Sequence, residues 1–273
     1  MTPESKKRII TGLVGAVGLI CLILFGKWLG ILLISFGISL GMVIEFCHIV
    51  FSLKDRSEKR YALLSISWFV TFVSLIVPQA EFMLCIFCFL ILFSYFLFSA
   101  RRYSGELLSI HFKELMACVF ALIYLIFIPL YFLKIYEISG GVSWIVVFFC
   151  MVWASDTLAY FVGKRWGKSK LYPSISPKKT VEGALAGLSA SIGVFFIFKF
   201  IWYPSLSWVV TLLCPVLVGG TAQVGDLCES FFKRAFDRKD SGSILPGHGG
   251  FLDRFDGVVF SLPVMYICIR LLG

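Results

Sequence analysis

Apolar residues fill this chain in long unbroken runs, without the alternation of a half-buried strand or the single stripe of a soluble amphipathic helix. A helix needs about 20 mostly apolar residues to cross the hydrocarbon layer of a bilayer. That pattern recurs from Ile9 onward, interrupted each time by a few charged or turn-forming residues. Read between the interruptions, it predicts nine spans, at residues 9–26, 29–53, 62–78, 82–100, 115–133, 142–163, 183–202, 206–224 and 255–272. The expected fold is an all-α integral membrane protein, a bundle of about nine transmembrane helices. Short connections leave no room for a separate soluble domain, so residues 1–273 are expected to form a single polytopic membrane domain.

Composition supports lipid as the solvent. Of the 273 residues 59% are hydrophobic and 15% charged, whereas a soluble domain carries about 25% charged residues. The net charge of +9 acquires meaning from its distribution. With nine spans, the N-terminus and every second loop share one side, and that side holds every Lys and Arg except Lys27, Lys134, Lys199 and Arg270. By the positive-inside rule the crowded side is cytoplasmic, which places the N-terminus inside and the C-terminus outside; the expected location is the cell (inner) membrane. Basic loops at that surface attract anionic headgroups and nucleotides, and nucleic acid is not an expected partner. Lys6, Lys7 and Arg8 precede an apolar run that reads as the first span, since no small-x-small cleavage site introduces a mature soluble sequence. The nine cysteines lie almost wholly inside spans and read as small apolar residues. Cys85 and Cys88 form C-x-x-C without a second ligand pair. His48 and His111 read as interfacial residues flanking spans.

Charged groups at membrane depth are costly, so those that persist are functional candidates. Glu45 reads as structural. Asp156 lies about seven residues, roughly 10 Å at helical rise, before the cytoplasmic end of its span. It is either a hydrogen-bonded helix contact or part of a polar site.

Two polar stretches stand out on the cytoplasmic side. In residues 164–183, Ser176-Pro177-Lys178-Lys179-Thr180 packs two amines between hydroxyls directly before a small-residue helix start at Glu182, Gly183 and Ala184. Amines, hydroxyls and backbone N–H groups near a helix N-terminus suit phosphate oxygens. Residues 225–257 are denser. Asp226 and Glu229 stand three apart on one helical face with Lys233 one turn further, in a segment that reads as an amphipathic helix at the membrane surface. Asp253 and Asp256 form a second pair entering the last span, with Arg254 between them. Gly247-His248-Gly249-Gly250 supplies a break at which the backbone turns. Two carboxylate pairs brought together by a chain reversal make an all-oxygen site suited to magnesium, beside cations able to neutralise a polyphosphate. That combination describes phosphoryl or nucleotidyl transfer.

At these residues a family resemblance becomes visible. The run Ser230-Phe231-Phe232-Lys233-Arg234, then Lys239-Asp240-x-Gly242, Leu245-Pro246-x-His248-Gly249-Gly250 and Asp253-Arg254-Phe255-Asp256 resembles the signature of the phosphatidate cytidylyltransferases, also called CDP-diacylglycerol synthases. Ser176-Pro177-Lys178-Lys179-Thr180-Val181-Glu182-Gly183 resembles the second recurring motif of that family. The resemblance covers most of the chain, the first four spans matching only in character.

It implies a nucleotidyltransferase that joins CTP to phosphatidic acid, releasing pyrophosphate and leaving CDP-diacylglycerol in the membrane. The lipid phosphate is then the nucleophile, so no Ser, Cys or His nucleophile is required. The resemblance implies that Asp226 and Asp253, helped by Asp256 or Glu229, hold Mg2+, with room for a second cation. Lys233, Arg234, Lys239 and Arg254 would bind phosphate oxygens. Ser176, Lys178, Lys179, Thr180 and Glu182 would complete the cradle, with Ser230 on the substrate side, Asp240 and His248 orienting the rest, and Asp156 able to line the cavity. CTP, phosphatidic acid and the bilayer are the implied partners, and a homodimer is compatible with them. A transporter is the rival from another class, but it would commonly show repeated halves and interrupted helices near the midplane. A CDP-alcohol phosphatidyltransferase would need a D-G-x2-A-R pattern, whereas Asp256-Gly257 is followed by Val258, Val259 and Phe260. A polyprenol kinase would not be expected to carry the whole 230–256 run.

Overall fold

The structure is a computed structural model that describes residues 3–51, 57–77, 80–242 and 249–272. Its helices are α1 (Pro3–Phe25), α2 (Lys27–Val50), α3 (Ser57–Ile76), α4 (Glu81–Ser99), α5 (Gly105–Ala121), α6 (Tyr131–Tyr136), α7 (Gly141–Trp166), α8 (Val181–Trp202), α9 (Trp208–Ala235) and α10 (Leu252–Leu272). A π-helical stretch, Leu122–Phe127, and a 3-10 turn, Ile128–Leu130, carry α5 into α6 as one segment. The change of pitch falls at Pro129, which has no N–H to give the helical ladder. Counted with that segment as one, nine helical stretches run through the described residues, as the apolar pattern predicts. Seven are long and apolar enough to cross a membrane, and the chain is a multi-pass membrane protein. The only strands among the described residues are β1 (Lys170–Tyr172) and β2 (Ser176–Thr180), an antiparallel hairpin within the stretch that reads from sequence as a plain loop.

Several boundaries move from their predicted places. The fifth span starts at Gly105 rather than residue 115, so His111 and Glu114 are helical. The eighth continues to Ala235 as a single helix, and the expected amphipathic surface segment is its last turns. The ninth begins at Leu252. In each case the polar residues that marked the predicted end are accommodated inside a helix by partners from neighbouring elements.

The chain divides into two compact units, one of residues 35–130 and one of residues 1–34 with 131–273. In the first, α4 is apolar all round, yet only its stripe Leu84, Cys88, Leu92 and Phe96 is buried. Phe82 and Met83 stay exposed, as lipid-facing side chains do. The same unit contains a buried ionic cluster. Lys59 Nζ donates to Glu114 Oε2 at 2.6 Å and lies 2.9 Å from His111 Nδ1. The other ring nitrogen of His111 lies 2.9 Å from the Phe96 carbonyl. Lys59 and His111, read from sequence as a basic-loop residue and an interfacial residue, are thus buried partners.

In the second unit α7, α8, α9 and α10 pack at short range because glycines line the crossings. A Cβ on Gly183 of α8 would stand 2.7 Å from the Ala159 carbonyl of α7, and one on Gly257 of α10 would stand 2.9 Å from the Ala222 carbonyl of α9. Close backbone approach through small residues is how helices associate in lipid, where no hydrophobic force draws them together. It also fixes which polar residues meet. Gly225 of α9 lies against Asp256 and Gly257 of α10, so the adjoining Asp226 is brought beside Asp256.

Candidate active site

The polar ends of α7, α8, α9 and α10 and the β1–β2 hairpin enclose a cavity of about 690 Å³. Its walls carry four carboxylates, Asp156, Asp226, Asp253 and Asp256, and five cations, Lys164, Lys170, Lys178, Lys179 and Arg254. Thr180 and Gln223 add polar groups. Acids and bases are interleaved around one space, in a protein whose other surfaces are largely apolar.

Each wall has a local cause. β2 presents Lys178 and Lys179, then ends on Thr180, which is 4% exposed and caps α8 by accepting a hydrogen bond from Gly183 N at 3.2 Å. An N-cap of this kind satisfies one of the donors that a helix start leaves open. Glu182 braces the hairpin from the first turn of α8. Its carboxylate accepts from the backbone N–H groups of Lys168 and Ser169 at 3.1 Å each. These bonds tie the end of α7 to the start of α8 and set the height of the two lysines.

Across the cavity, α9 and α10 contribute the carboxylates. Lys179 Nζ reaches Asp226 Oδ2 at 2.5 Å, so the hairpin and α9 are joined by an ion pair on the cavity wall. Further along α9, Lys233 pairs with Glu229, one turn before it, at 2.7 Å and also with Asp253 of α10. Asp253 is held from its other oxygen by Ser241 Oγ at 2.8 Å and Gly250 N at 3.2 Å. Asp256 is 7% exposed, accepts from Gly257 N at 2.7 Å, and lies within electrostatic range of Asp226, Glu229 and Asp156. Asp156 in turn feels Asp226, Lys179 and Arg254. Carboxylates this close repel one another in a low-dielectric setting, and cations must offset them.

Most of the expected residues converge. Asp156, Lys178, Lys179, Thr180, Asp226, Asp253, Arg254 and Asp256 line the cavity, with Glu229 and Lys233 directly behind Asp253. Ser176, Glu182, Ser230, Arg234, Lys239 and Asp240 are not on its wall. Glu182 is engaged by backbone amides, Arg234 reaches the Arg238 carbonyl at 3.2 Å, and Lys239 and Asp240 are exposed. His248 lies outside the described residues. Sequence reasoning passed over Gln223, Lys164, Lys170 and Ser241. Ser241 falls on a position that the 230–256 pattern leaves open, and Gln223 gave no signal because an amide one turn before Asp226 reads as ordinary helix. In the fold Gln223 Nε2 donates to the Ala184 carbonyl at 2.9 Å, which fastens α9 to α8 beside the cavity.

The donor set suits a hard cation in its chemistry, being all carboxylate oxygen. Glu229 Oε1 is buried with no hydrogen-bond partner, a position that a cation would satisfy. Among the described residues no three acidic, histidine or cysteine side chains stand in a metal-holding arrangement, and Lys179 and Lys233 lie on the carboxylates instead.

The profile of the Cytidylyltransferase family matches residues 6–272. A phosphatidate cytidylyltransferase of Bacillus subtilis (strain 168) is 32% identical over 282 residues, 98% of each chain. Phosphatidate cytidylyltransferases of Staphylococcus saprophyticus and of Staphylococcus aureus (strain COL) are each 41% identical, over 181 and 184 residues, covering 66% of this chain and 65% of theirs.

Proposed function

The chain belongs to the cytidylyltransferase family, and from that premise we propose that its cavity condenses CTP with phosphatidate to give CDP-diacylglycerol and pyrophosphate, a step of membrane phospholipid synthesis. One observation carries this reading to particular residues. The Lys179–Asp226 ion pair closes the basic hairpin onto the acidic ends of α9 and α10, so phosphate-binding and carboxylate halves face a single space.

In the reaction an oxygen of the lipid phosphate attacks the α-phosphorus of CTP. A new P–O bond forms as the bond from the α-phosphorus to the bridging oxygen breaks, and pyrophosphate leaves with that oxygen. A phosphate monoester is already anionic at neutral pH, so the protein need not create a nucleophile. Its task is to bring two polyanions together and to stabilise the charge that shifts onto the leaving group. Lys178, Lys179, Arg254, Lys164 and Lys170, on the cavity wall, bind phosphate oxygens. Asp226, Asp253 and Asp256, with Glu229 behind them, are the carboxylates that would hold magnesium. The chemistry that metal would supply there is Lewis-acid neutralisation of the triphosphate. Lys233 keeps Glu229 and Asp253 at one spacing.

The cavity is lined by the helix ends that adjoin the basic loops, and by the positive-inside argument these belong to the cytoplasmic face, where CTP is dissolved. Phosphatidate presents its phosphate at headgroup depth on the same side. The purified protein, given radiolabelled CTP, phosphatidic acid and magnesium, should move label into the organic phase on lipid extraction. Label that stays aqueous across lipid compositions and divalent cations would overturn the reading.

A further inference from the structure

The two lysines that touch carboxylates at this site are held very differently. The Lys233 side chain is 10% exposed and bridges Glu229, whose side chain is 2% exposed, to Asp253. Withdrawing it would leave buried carboxylates without their counter-ion, so it is a fixed part of the scaffold. Lys179 and Asp226 keep 25% and 40% of their side chains exposed, both on the cavity wall. An ion pair this open to water is weak enough to be exchanged.

We propose that Lys179 is an exchangeable counter-ion: it neutralises Asp226 while the cavity lacks substrate, and transfers to a triphosphate oxygen when a divalent cation takes Asp226. This rests on the nucleotidyl-transfer reading above and adds a coupling to it. An ammonium group 2.5 Å from Asp226 Oδ2 occupies that oxygen and opposes a second cation at the carboxylate by charge, so a metal binds Asp226 more tightly once Lys179 has left. Lys179 then needs an anion, and the triphosphate supplies one within the same cavity. Each ligand therefore removes an obstacle to the other, and by linkage the effect on the two affinities is equal. Neighbouring Lys178 lines the cavity with the same charge, but it makes no ion pair with a carboxylate among the described residues. It provides a control for the general electrostatic effect of removing a cation.

The test is Mn2+ binding to the detergent-solubilised full chain, read by electron paramagnetic resonance without nucleotide and then with a non-hydrolysable CTP analogue. Without nucleotide, Lys179→Met should bind Mn2+ about fivefold or more tightly than wild type, the lower end of ordinary coupling between sites. Lys178→Met should change the affinity less than about twofold, and Lys179→Arg, which restores a cation able to pair with Asp226, should return it to wild type. The analogue should tighten Mn2+ binding more in wild type than in Lys179→Met. Equal Mn2+ affinity in wild type and Lys179→Met, or an equal gain in both lysine-to-methionine variants, would overturn the exchange. If wild type labels lipid from CTP while that equality holds, the nucleotidyl-transfer reading stands and only the exchange falls. Absence of Mn2+ binding in every variant would overturn the metal assignment and the exchange together.

Discussion

Both compact units bury charged clusters inside a membrane protein, yet only one has the makings of a reaction centre. In residues 35–130, Lys59 meets Glu114 and His111, and the imidazole lies between the rings of Phe96 and Tyr103 at 4.8 and 4.5 Å between centroids. The polar atoms of that cluster point at one another, and rings cover them. In the other unit, carboxylates from α7, α9 and α10 and cations from the hairpin point into a shared space, and Glu229 Oε1 has no hydrogen-bond partner. Burial of charge is therefore a poor marker of function by itself. A cluster whose polar groups are consumed by one another is structural, whereas one that converges on a cavity is available to a ligand.

Substitutions can break this contrast. Asp253→Asn should lower CTP-dependent lipid labelling by about a thousandfold, because it removes a cavity-wall carboxylate to which the proposed mechanism assigns the metal. Circular dichroism and thermal melting in detergent should stay near wild type, and retained activity would sink the assignment. Lys233→Met should lose about a hundredfold in turnover and about 3 kcal/mol in stability, since it leaves Glu229 and Asp253 without their shared cation. Paired assays of turnover and thermal unfolding check both losses.

Gly257→Ala sharpens the role of packing. Its new Cβ would meet the Ala222 carbonyl at 2.9 Å, which forces α10 away from α9 at a cost of about 1–3 kcal/mol. Turnover should fall about tenfold as Asp256 moves from Asp226, and a variant of wild-type stability and activity would refute the close crossing. Lys59→Met should produce the reverse profile, a loss of about 3 kcal/mol from burying the Glu114 carboxylate without the ammonium that neutralises it, with turnover of the folded protein changed less than about twofold. The double variant Lys59→Met/Glu114→Leu should regain much of that stability. A Lys59→Met protein that melts normally but fails to turn over would move this cluster into the catalytic machinery.

The membrane architecture was legible because lipid imposes a length and a polarity on every span, and those constraints act residue by residue along the chain. The nine helical stretches and the two polar motifs could therefore be read directly, whereas the ion-pair partners of the carboxylates, Lys179 for Asp226 and Lys233 for Glu229 and Asp253, could not. Helix ends were less legible. His111 and Glu114 look like a boundary until Lys59, more than 50 residues earlier, is seen to neutralise them inside the fold.

For this protein the sequence by itself determined the solvent, the number of helical stretches and the chemical vocabulary of the site, since composition and helical spacing are local properties. Tertiary structure alone decided which of those groups share a space. Close glycine contacts set Asp226 beside Asp256, the Thr180 cap and the Glu182 brace raised Lys178 and Lys179 over the carboxylates, and Ser241 and Gln223 gained roles that no local pattern announces. The reason is physical: a side chain's function here depends on the charge it faces across a cavity, and that partner comes from a different helix whose distance is fixed by packing.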